Sequence, residues 1–464
     1  MSKIHDEALR FLNANKDRVA TPGGYTSPRV SSEIPDCSMP LTFDQYTYCA
    51  LGCLYCFAYT FKSTNPAYTG REIPLGAINV QKMLDTMKGK YPDDPKWKCF
   101  YSRRFLLHWG GLADPFCGFE KKNRVGLELM RGLAEMKYPT LLSFKGPTIM
   151  EPEYLALLRK YAKNRSFAFQ SSIITNSDEL SKQIEVGVPT TTQRLAMMKT
   201  LSNMGYWTIL RLRPFIIGLS DDGLLELLER ARDAGARAIS CEFFAMDSRC
   251  SAGVKDRYDW IAQLVGVKDL HEYFHRLSPS ERGGYMRLNR LVKEPYIKTI
   301  YKFCAENDMV CGISDPDFKE LNTSGSCCGM PDEYPANPEM CNWTHNQLTY
   351  HLKELRRQYH RTGVCGTIRF NDVYPDSEPY LTDRKLGQDN VSTIGTPNAE
   401  RALFTQKLGL QERWNNLNSP ACPRNYLHGK VMPDGVDNEG NLIYRYHVHP
   451  YETQWAAEGI DMTR

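Results

Sequence analysis

Between residues 41 and 314 short apolar, β-rich runs alternate with longer amphipathic stretches. The apolar runs predict strands at 41–48, 105–109, 140–145, 167–174, 207–214 and 239–246, with a further strand at 309–314. Apolar residues recurring at helical spacing predict helices between them, at 124–137, 152–163, 192–203 and 223–233. Alternation at a spacing of roughly thirty residues is the signature of right-handed βαβ units around a parallel sheet. Periodicity leaves open whether that sheet is flat or curled into a barrel. In a barrel, the chemistry sits at the C-terminal ends of the strands.

Beyond residue 314 the pattern changes. Residues 325–338 are rich in Gly, Pro and Cys and read as loop. Helices are expected at 344–359 and 399–407 and a strand at 442–448, separated by polar, turn-rich segments such as 372–398. At the other end Ile4, Ala8, Phe11 and Leu12 have the spacing of a short amphipathic helix. The expected organisation is an N-terminal extension over 1–39, a core over 40–320, and a cysteine-containing cap or substrate-recognition region over 321–464.

Composition narrows the function classes. Hydrophobic residues make up 42% of the 464, enough for a sizeable core. A formal net charge of +4 does not mark a nucleic-acid or membrane binder. The basic run 353–361 is broken by Glu354 and reads as a solvated helix face. No stretch approaches a membrane span, and the polar, acid-bearing residues 1–18 are unlike a secretory signal, so a cytoplasmic protein is expected. Fifteen cysteines are many for a reducing compartment, which makes metal ligation and catalysis the uses to examine.

The sharpest feature is Tyr48-Cys49-Ala50-Leu51-Gly52-Cys53-Leu54-Tyr55-Cys56-Phe57. Three cysteines at this spacing, just after an expected strand, can wrap one compact cluster, and Gly52 lets the loop turn tightly. Most 4Fe–4S clusters take four thiolates. Three leave an iron open, and an open position separates catalytic from structural metal sites. Zinc or inert buried thiols are the alternatives, although zinc ligands more often come as two separated Cys-x-x-Cys pairs.

This motif, with Tyr55 before its last cysteine, resembles that of the radical S-adenosylmethionine (SAM) superfamily. The resemblance implies a partial (β/α)6 barrel, here with an N-terminal helix and a C-terminal α+β extension. It also implies a 4Fe–4S cluster on Cys49, Cys53 and Cys56 whose open iron is chelated by SAM. An electron, from a donor such as flavodoxin or ferredoxin, then cleaves SAM to a 5′-deoxyadenosyl radical that abstracts hydrogen from the substrate.

Within the superfamily the chain looks most like the spore photoproduct lyase branch. Gly110-Gly111-Leu112-Ala113-Asp114-Pro115 matches the glycine-rich contact with the SAM amino group. Thr140-Leu141-Leu142-Ser143-Phe144-Lys145 resembles the third strand, whose lysine reaches the SAM carboxylate. Gln170-Ser171-Ser172 ends the fourth strand, where a serine is expected near the cofactor. The stretch from Ile184 through Glu185 to Pro189, with Arg194, is similar to that branch's Glu–Pro–Arg pattern. The expected cofactor contacts are therefore Tyr55, Gly110, Gly111, Asp114, Lys145, Ser171, Ser172 and Arg194. The resemblance covers roughly residues 40–218 and bears on mechanism more than on substrate. In one respect the sequence departs from it. Spore photoproduct lyases carry a hydrogen-donating cysteine at the glycine-rich turn, and Gly111 is the best match to that position. This argues against the repair reaction itself.

Several of these residues have a physical rationale of their own. Lys145 at the end of an apolar strand is costly to bury without an anion, and a carboxylate would supply one. The other reading is a lysine that snorkels to the surface. Ser171 and Ser172 could bond a ligand or cap a turn. Asp114 could bind an ammonium or open the turn before Pro115, and Arg194 could be a ligand or a surface ion-pair residue.

A second cysteine group follows the core. Cys327 and Cys328 lie between Gly325 and Gly329, and with Cys341 and Cys422 they could hold an auxiliary iron–sulfur cluster, although the spacing matches no known pattern. Cys117, Cys327 and Cys328 are the candidate thiols for hydrogen or redox chemistry, with an idle thiol as the bland alternative. Cys311 reads as a core thiol. His447 and His449 share one strand face without an evident third ligand.

The leading expectation is a radical SAM enzyme acting on a large substrate, tilted by the resemblance toward a nucleic-acid base or modified nucleotide. Modification of a peptide or small metabolite, and a non-catalytic iron–sulfur scaffold, are the alternatives.

Overall fold

The apolar runs form the central sheet of the protein. The structure, a computed structural model, describes all residues except 1–2, 16, 26–27, 32–36, 59–73, 249–251, 278, 283, 342–346, 376–390 and 393–406. Seven strands run parallel in chain order: β1 (Leu41–Phe43), β2 (Leu107–Trp109), β3 (Thr140–Phe144), β4 (Phe167–Ser172), β5 (Trp207–Phe215), β6 (Ala238–Phe243) and β7 (Val310–Ile313). A helix stands in each crossover: α1 (Val80–Met87), α2 (Val125–Glu135), α3 (Pro152–Tyr161), α4 (Thr191–Asn203), α5 (Leu224–Asp233) and α6 (Arg290–Glu306). Arg29–Ser31 adds an antiparallel edge to β1, and Val391–Ser392 pairs with that edge. β1 and β7 do not pair, so the sheet is open.

The two faces of the sheet differ in chemistry. Along one face Leu107, Trp109, Leu142 and Phe144 pack with Leu84, Met130, Leu133 and Leu158 of the first three helices. Further along the same face Leu212, Ile239 and Ile313 pack with Leu227, Leu228 and Ile300. Each such side chain contributes roughly 1.5–3 kcal/mol on burial. On the other face the N-terminal ends of the strands carry Leu141, Ala168, Ile209 and Ala238, covered by Cys328, Met330 and Met340. Two residues on, the register brings together polar side chains. Ser143 lies beside Gln170, and Ser172 beside Arg211, with Arg213 one step further along β5. The inner face is thus plugged by apolar residues at one end and polar at the other.

Where the strands and helices differ from the sequence pattern, polar groups decide. The strand expected at 41–48 stops at Phe43. Asp44 is fully buried and turns its carboxylate to the Leu112 and Ala113 amides, both at 2.7 Å, and to Arg29 at 2.7 Å. Gln45 donates to the Pro115 carbonyl at 2.6 Å and accepts from the Trp109 indole at 2.8 Å. These bonds lift the chain from the sheet and tie it to the glycine-rich turn. The helix expected at 344–359 is Leu348–Thr362, ended by Gly363 at φ +73°. The helix expected at 399–407 lies outside the described residues apart from Lys407, which opens the helix Lys407–Asn415. The strand expected at 442–448 is Leu442–Tyr446.

Two segments frame the polar end of the sheet. The helix Lys3–Asn15 lays Ile4 and Phe11 against the core that includes Cys53 and Leu54. Between β6 and α6 the pattern alone gave no sign of an insertion: helices Ala252–Val265 and Leu270–Arg276, and a three-stranded antiparallel sheet of Ala245–Asp247, Tyr285–Arg287 and Ser280–Arg282. Among the described residues no helix is long and apolar enough to cross a membrane.

Candidate active site

The cysteine loop is fixed by backbone pairing. Gly52–Cys53 pairs antiparallel with Glu185–Val186, placing Cys53 opposite Glu185. A side chain at position 52 would bring a Cβ to 3.1 Å from the Val186 carbonyl and 3.2 Å from Ala8, tighter than a normal contact, so glycine suits the crossing. The Cys56 amide bonds back to the Cys53 carbonyl at 3.2 Å, closing the turn. Cys49, Cys53 and Cys56 are free thiols lining one cavity of about 490 Å³. The Cys49 sulfur accepts the Leu51 and Asp114 amides, both at 3.4 Å. The Cys117 thiol beside it, and then burial, push the Cys49 thiol well above its ordinary value. Burial pushes Cys53 and Cys56 up as well, against the attraction of Lys145.

Facing the thiols is the glycine-rich turn. Gly110 sits at φ +95°, and a Cβ there would lie 2.3 Å from the Ser143 carbonyl oxygen, so only glycine lets the turn lie this close to β3. At Gly111 a Cβ would meet the Thr42 hydroxyl at 2.6 Å. Asp114 joins the turn to the end of β3. Its carboxylate accepts the Phe116 amide at 2.8 Å, the Lys145 amide at 2.5 Å and the Gly146 amide at 3.1 Å. Burial pushes its pKa up, opposed by these bonds.

Lys145 lines the cavity with its Nζ 4.0 Å from Glu185 Oε1 and 5.2 Å from the centre of the Tyr55 ring. Glu185 is fully buried, takes the Tyr55 hydroxyl and is ion-paired with Arg194. Burial opposes its charge, but Arg194 and then Lys145 hold the carboxyl below the usual range. Arg194 also donates to the Ser172 carbonyl at 2.5 Å and the Ser181 hydroxyl at 2.8 Å.

The same cavity is also lined by arginines, a feature sequence reasoning missed. Arg211 and Arg213 project from β5, and Arg257 and Arg287 from the insertion. The signal was present in Leu210-Arg211-Leu212-Arg213, whose alternation in a buried strand puts both arginines on the inner face. Arg211 bonds the Ser172 hydroxyl at 3.3 Å, and Arg213 donates to the Cys327 carbonyl and stands 3.7 Å from Glu242. Ser143, Gln170 and His108 form a chain beneath, with links of 2.7 and 2.8 Å. Burial and then Arg211 lower the His108 pKa to about 3, so its imidazole is neutral.

Of the residues expected at the cofactor, Tyr55, Gly110, Gly111, Asp114, Lys145 and Ser172 line the same cavity as the three cysteines. Ser171 does not. It alternates to the helix-facing side of β4, where its hydroxyl is buried with no hydrogen-bond partner. Arg194 is fully buried behind the wall, where it is engaged by Glu185, the Ser172 carbonyl and the Ser181 hydroxyl. Asp114 reaches the cavity, but its oxygens are engaged by the three amides.

The candidate thiols lie elsewhere. Cys117, Cys327 and Cys328 do not line the cavity. Cys117 is fully buried against Cys49, and the carbonyls of Cys327 and Cys328 anchor Arg213 and Gln170 under the sheet. The structure does not gather the four auxiliary-cluster cysteines. Cys422 is buried beside Tyr444 in the C-terminal region, and the side chain of Cys341 is outside the described residues. His447 and His449 contact each other with ring centres 5.5 Å apart, and His449 caps the helix Pro450–Ala457.

Three free thiols share this cavity, with two backbone amides aimed at the Cys49 sulfur, and thiolate sulfurs of an iron–sulfur site accept such bonds.

No family model matches the chain. Curated relatives are uncharacterized proteins of Mycobacterium bovis and Mycobacterium tuberculosis, 25% identical over 204 residues. The match spans 43% of this chain and 57% of the length of those relatives. Among solved structures the chain is similar to a spore photoproduct lyase mutant with bound AdoMet and dinucleoside spore photoproduct. The identity is 14%, the coverage 68% of this chain and 85% of that one, and the TM-score 0.47. It is also similar to Streptococcus suis SuiB bound to S-adenosylmethionine, at 15% identity over 44% of this chain and 38% of that one, with a TM-score of 0.30.

Proposed function

We propose that this chain is a radical SAM enzyme acting on a nucleic-acid base or modified nucleotide. The observation that carries this reading is the shared cavity of Cys49, Cys53 and Cys56 with Gly110, Gly111, Lys145 and Ser172. The three cysteines would hold a 4Fe–4S cluster, and the glycine-rich turn, Lys145 and Ser172 would hold SAM, with the lysine at its carboxylate. When bound, the pair supplies a 5′-deoxyadenosyl radical able to take hydrogen from a substrate.

The chain's own residues position and shield. Asp114 holds the glycine-rich turn against β3, and the Arg194–Glu185 pair holds Tyr55 and Lys145 at the cysteine loop. The apolar plug of Leu141, Ala168 and Met330 closes the end of the sheet away from the cysteines and excludes water there. An external one-electron donor of the flavodoxin or ferredoxin class is required.

Support for a base or nucleotide comes from the insertion, where Tyr258 and Tyr285 line the cavity together with Arg257 and Arg287. Aromatic faces beside guanidinium groups suit a base taken out of its stack.

Anaerobic incubation of the reconstituted protein with SAM and dithionite tests the reading. Formation of 5′-deoxyadenosine dependent on Cys49, Cys53 and Cys56 is expected. An iron-loaded protein that makes none is a scaffold rather than a catalyst.

A further inference from the structure

Among the described residues the charge around the cavity is unbalanced. Lys145, Arg211, Arg213, Arg257 and Arg287 line it, against the carboxylates Asp114 and Glu242. Asp114 is occupied by three backbone amides. Glu185, behind Lys145, is taken by Arg194 and Tyr55. Among the described lining residues Glu242 is the remaining carboxylate, 3.7 Å from Arg213.

Arg211 and Arg213 are also under-used as donors among the described residues. Arg211 and Arg213 sit two residues apart on one face of β5, and the Nε of each is buried with no hydrogen-bond partner among the described residues. Arg287 forms no ion pair among the described residues. A buried guanidinium is tolerated where an anion completes it, and the planar fork of arginine suits phosphate oxygens. Burial, followed by the neighbouring Arg213, lowers the Arg211 pKa below its ordinary value, a cost that a bound anion would offset.

We propose that Arg211, Arg213, Arg257 and Arg287 form a subsite for a phosphate of a nucleotide substrate. The proposal rests on the radical SAM reading and adds to it where the substrate's charge is held. The phosphate lies on the arginines, and the base lies against Tyr258 and Tyr285. The modest net charge of the chain is no obstacle, because the cations converge locally.

The test uses the reconstituted holoprotein with SAM and compares three probes: a short oligothymidylate, the same oligomer with uncharged methylphosphonate linkages, and ribose 5-phosphate. The phosphodiester oligomer is expected to bind at least about tenfold more tightly than the methylphosphonate, with affinity that falls steeply with salt. Arg211→Gln and Arg287→Gln should each weaken its binding about tenfold or more, consistent with charge-assisted contacts of 1.5–3 kcal/mol. Equal binding of the charged and uncharged oligomers by the wild-type protein overturns the proposal without recourse to a variant. Arginine-dependent binding of ribose 5-phosphate as tight as that of the oligomer assigns the arginines to a small sugar phosphate and also overturns it. Iron content and substrate-free 5′-deoxyadenosine formation are read in parallel. Their loss in the wild type defeats the radical SAM reading, whereas their persistence with no charge preference defeats the subsite alone.

Discussion

The hydroxyl of Tyr55, the residue before the last motif cysteine, donates to the fully buried carboxylate of Glu185. That bond, and the pairing of Cys53 with Glu185, bind the cysteine loop to a segment more than a hundred residues later. Glu185 is charged in this setting because Arg194 is fully buried beside it. Truncating one member of such a pair strands the other charge, at a cost of about 3–5 kcal/mol. Arg194→Ala is therefore expected to lower the stability of the cluster-free protein by that amount in urea unfolding. A loss within experimental error would place Arg194 outside the architecture of the loop.

Lys145 lines the cavity beside the cysteine loop, 5.2 Å from the centre of the Tyr55 ring. Lys145→Ala is expected to weaken SAM binding roughly ten- to hundredfold, the range for a hydrogen bond to a charged group, while iron loading stays at the wild-type level. Calorimetry or equilibrium dialysis reads the affinity. Unchanged affinity removes Lys145 from the cofactor's contacts.

Gly110 allows no side chain, since a Cβ would lie 2.3 Å from a backbone oxygen at a φ of +95°. Gly110→Ala should cost about 1–3 kcal/mol in local strain and move the turn off β3, lowering both the melting temperature and SAM affinity. A variant with wild-type melting and affinity would contradict the close approach.

Away from the cavity, Lys293 meets Asp315 at 2.9 Å and also pairs with Asp317, which takes His428 at 2.5 Å. Burial works against the Asp317 charge, but His428 and Lys293 outweigh it and hold the carboxyl well below its ordinary 3.8. A depressed carboxylate contributes stability that is full above the unfolded value and lost as pH falls through the folded one. Asp317→Asn should therefore be less stable than wild type at pH 7, with the gap narrowing as the medium is acidified below about 3.8. A gap that stays constant down to pH 3 would show that the ionised carboxylate is not what stabilises.

Much of the fold was legible because buried parallel strands are apolar on both faces and amphipathic helices repeat between them. That the cysteine loop, the glycine-rich turn and Lys145 share one cavity was legible for a different reason: each is a local pattern at the end of an expected strand. Tertiary direction was not. Ser171 and Ser172 are equal in sequence, and only the pleat of β4 turns one to the helices and the other to the cavity. Arg194 and Asp114 looked like ligands, but they are spent on Glu185 and on backbone amides, partners distant in sequence. The insertion between β6 and α6 was hidden because its helices and short strands break the regular alternation, and with it went Arg257 and Arg287.

The most direct measurement is the metal content of anaerobically reconstituted protein, taken together with its visible absorbance. About four irons per chain, with matching sulfide and a brown absorbance, are expected in the wild type, and both should vanish when Cys49, Cys53 and Cys56 are all changed to alanine. Zinc in place of iron, or an iron content that survives the triple change, would contradict a cluster held by these thiols.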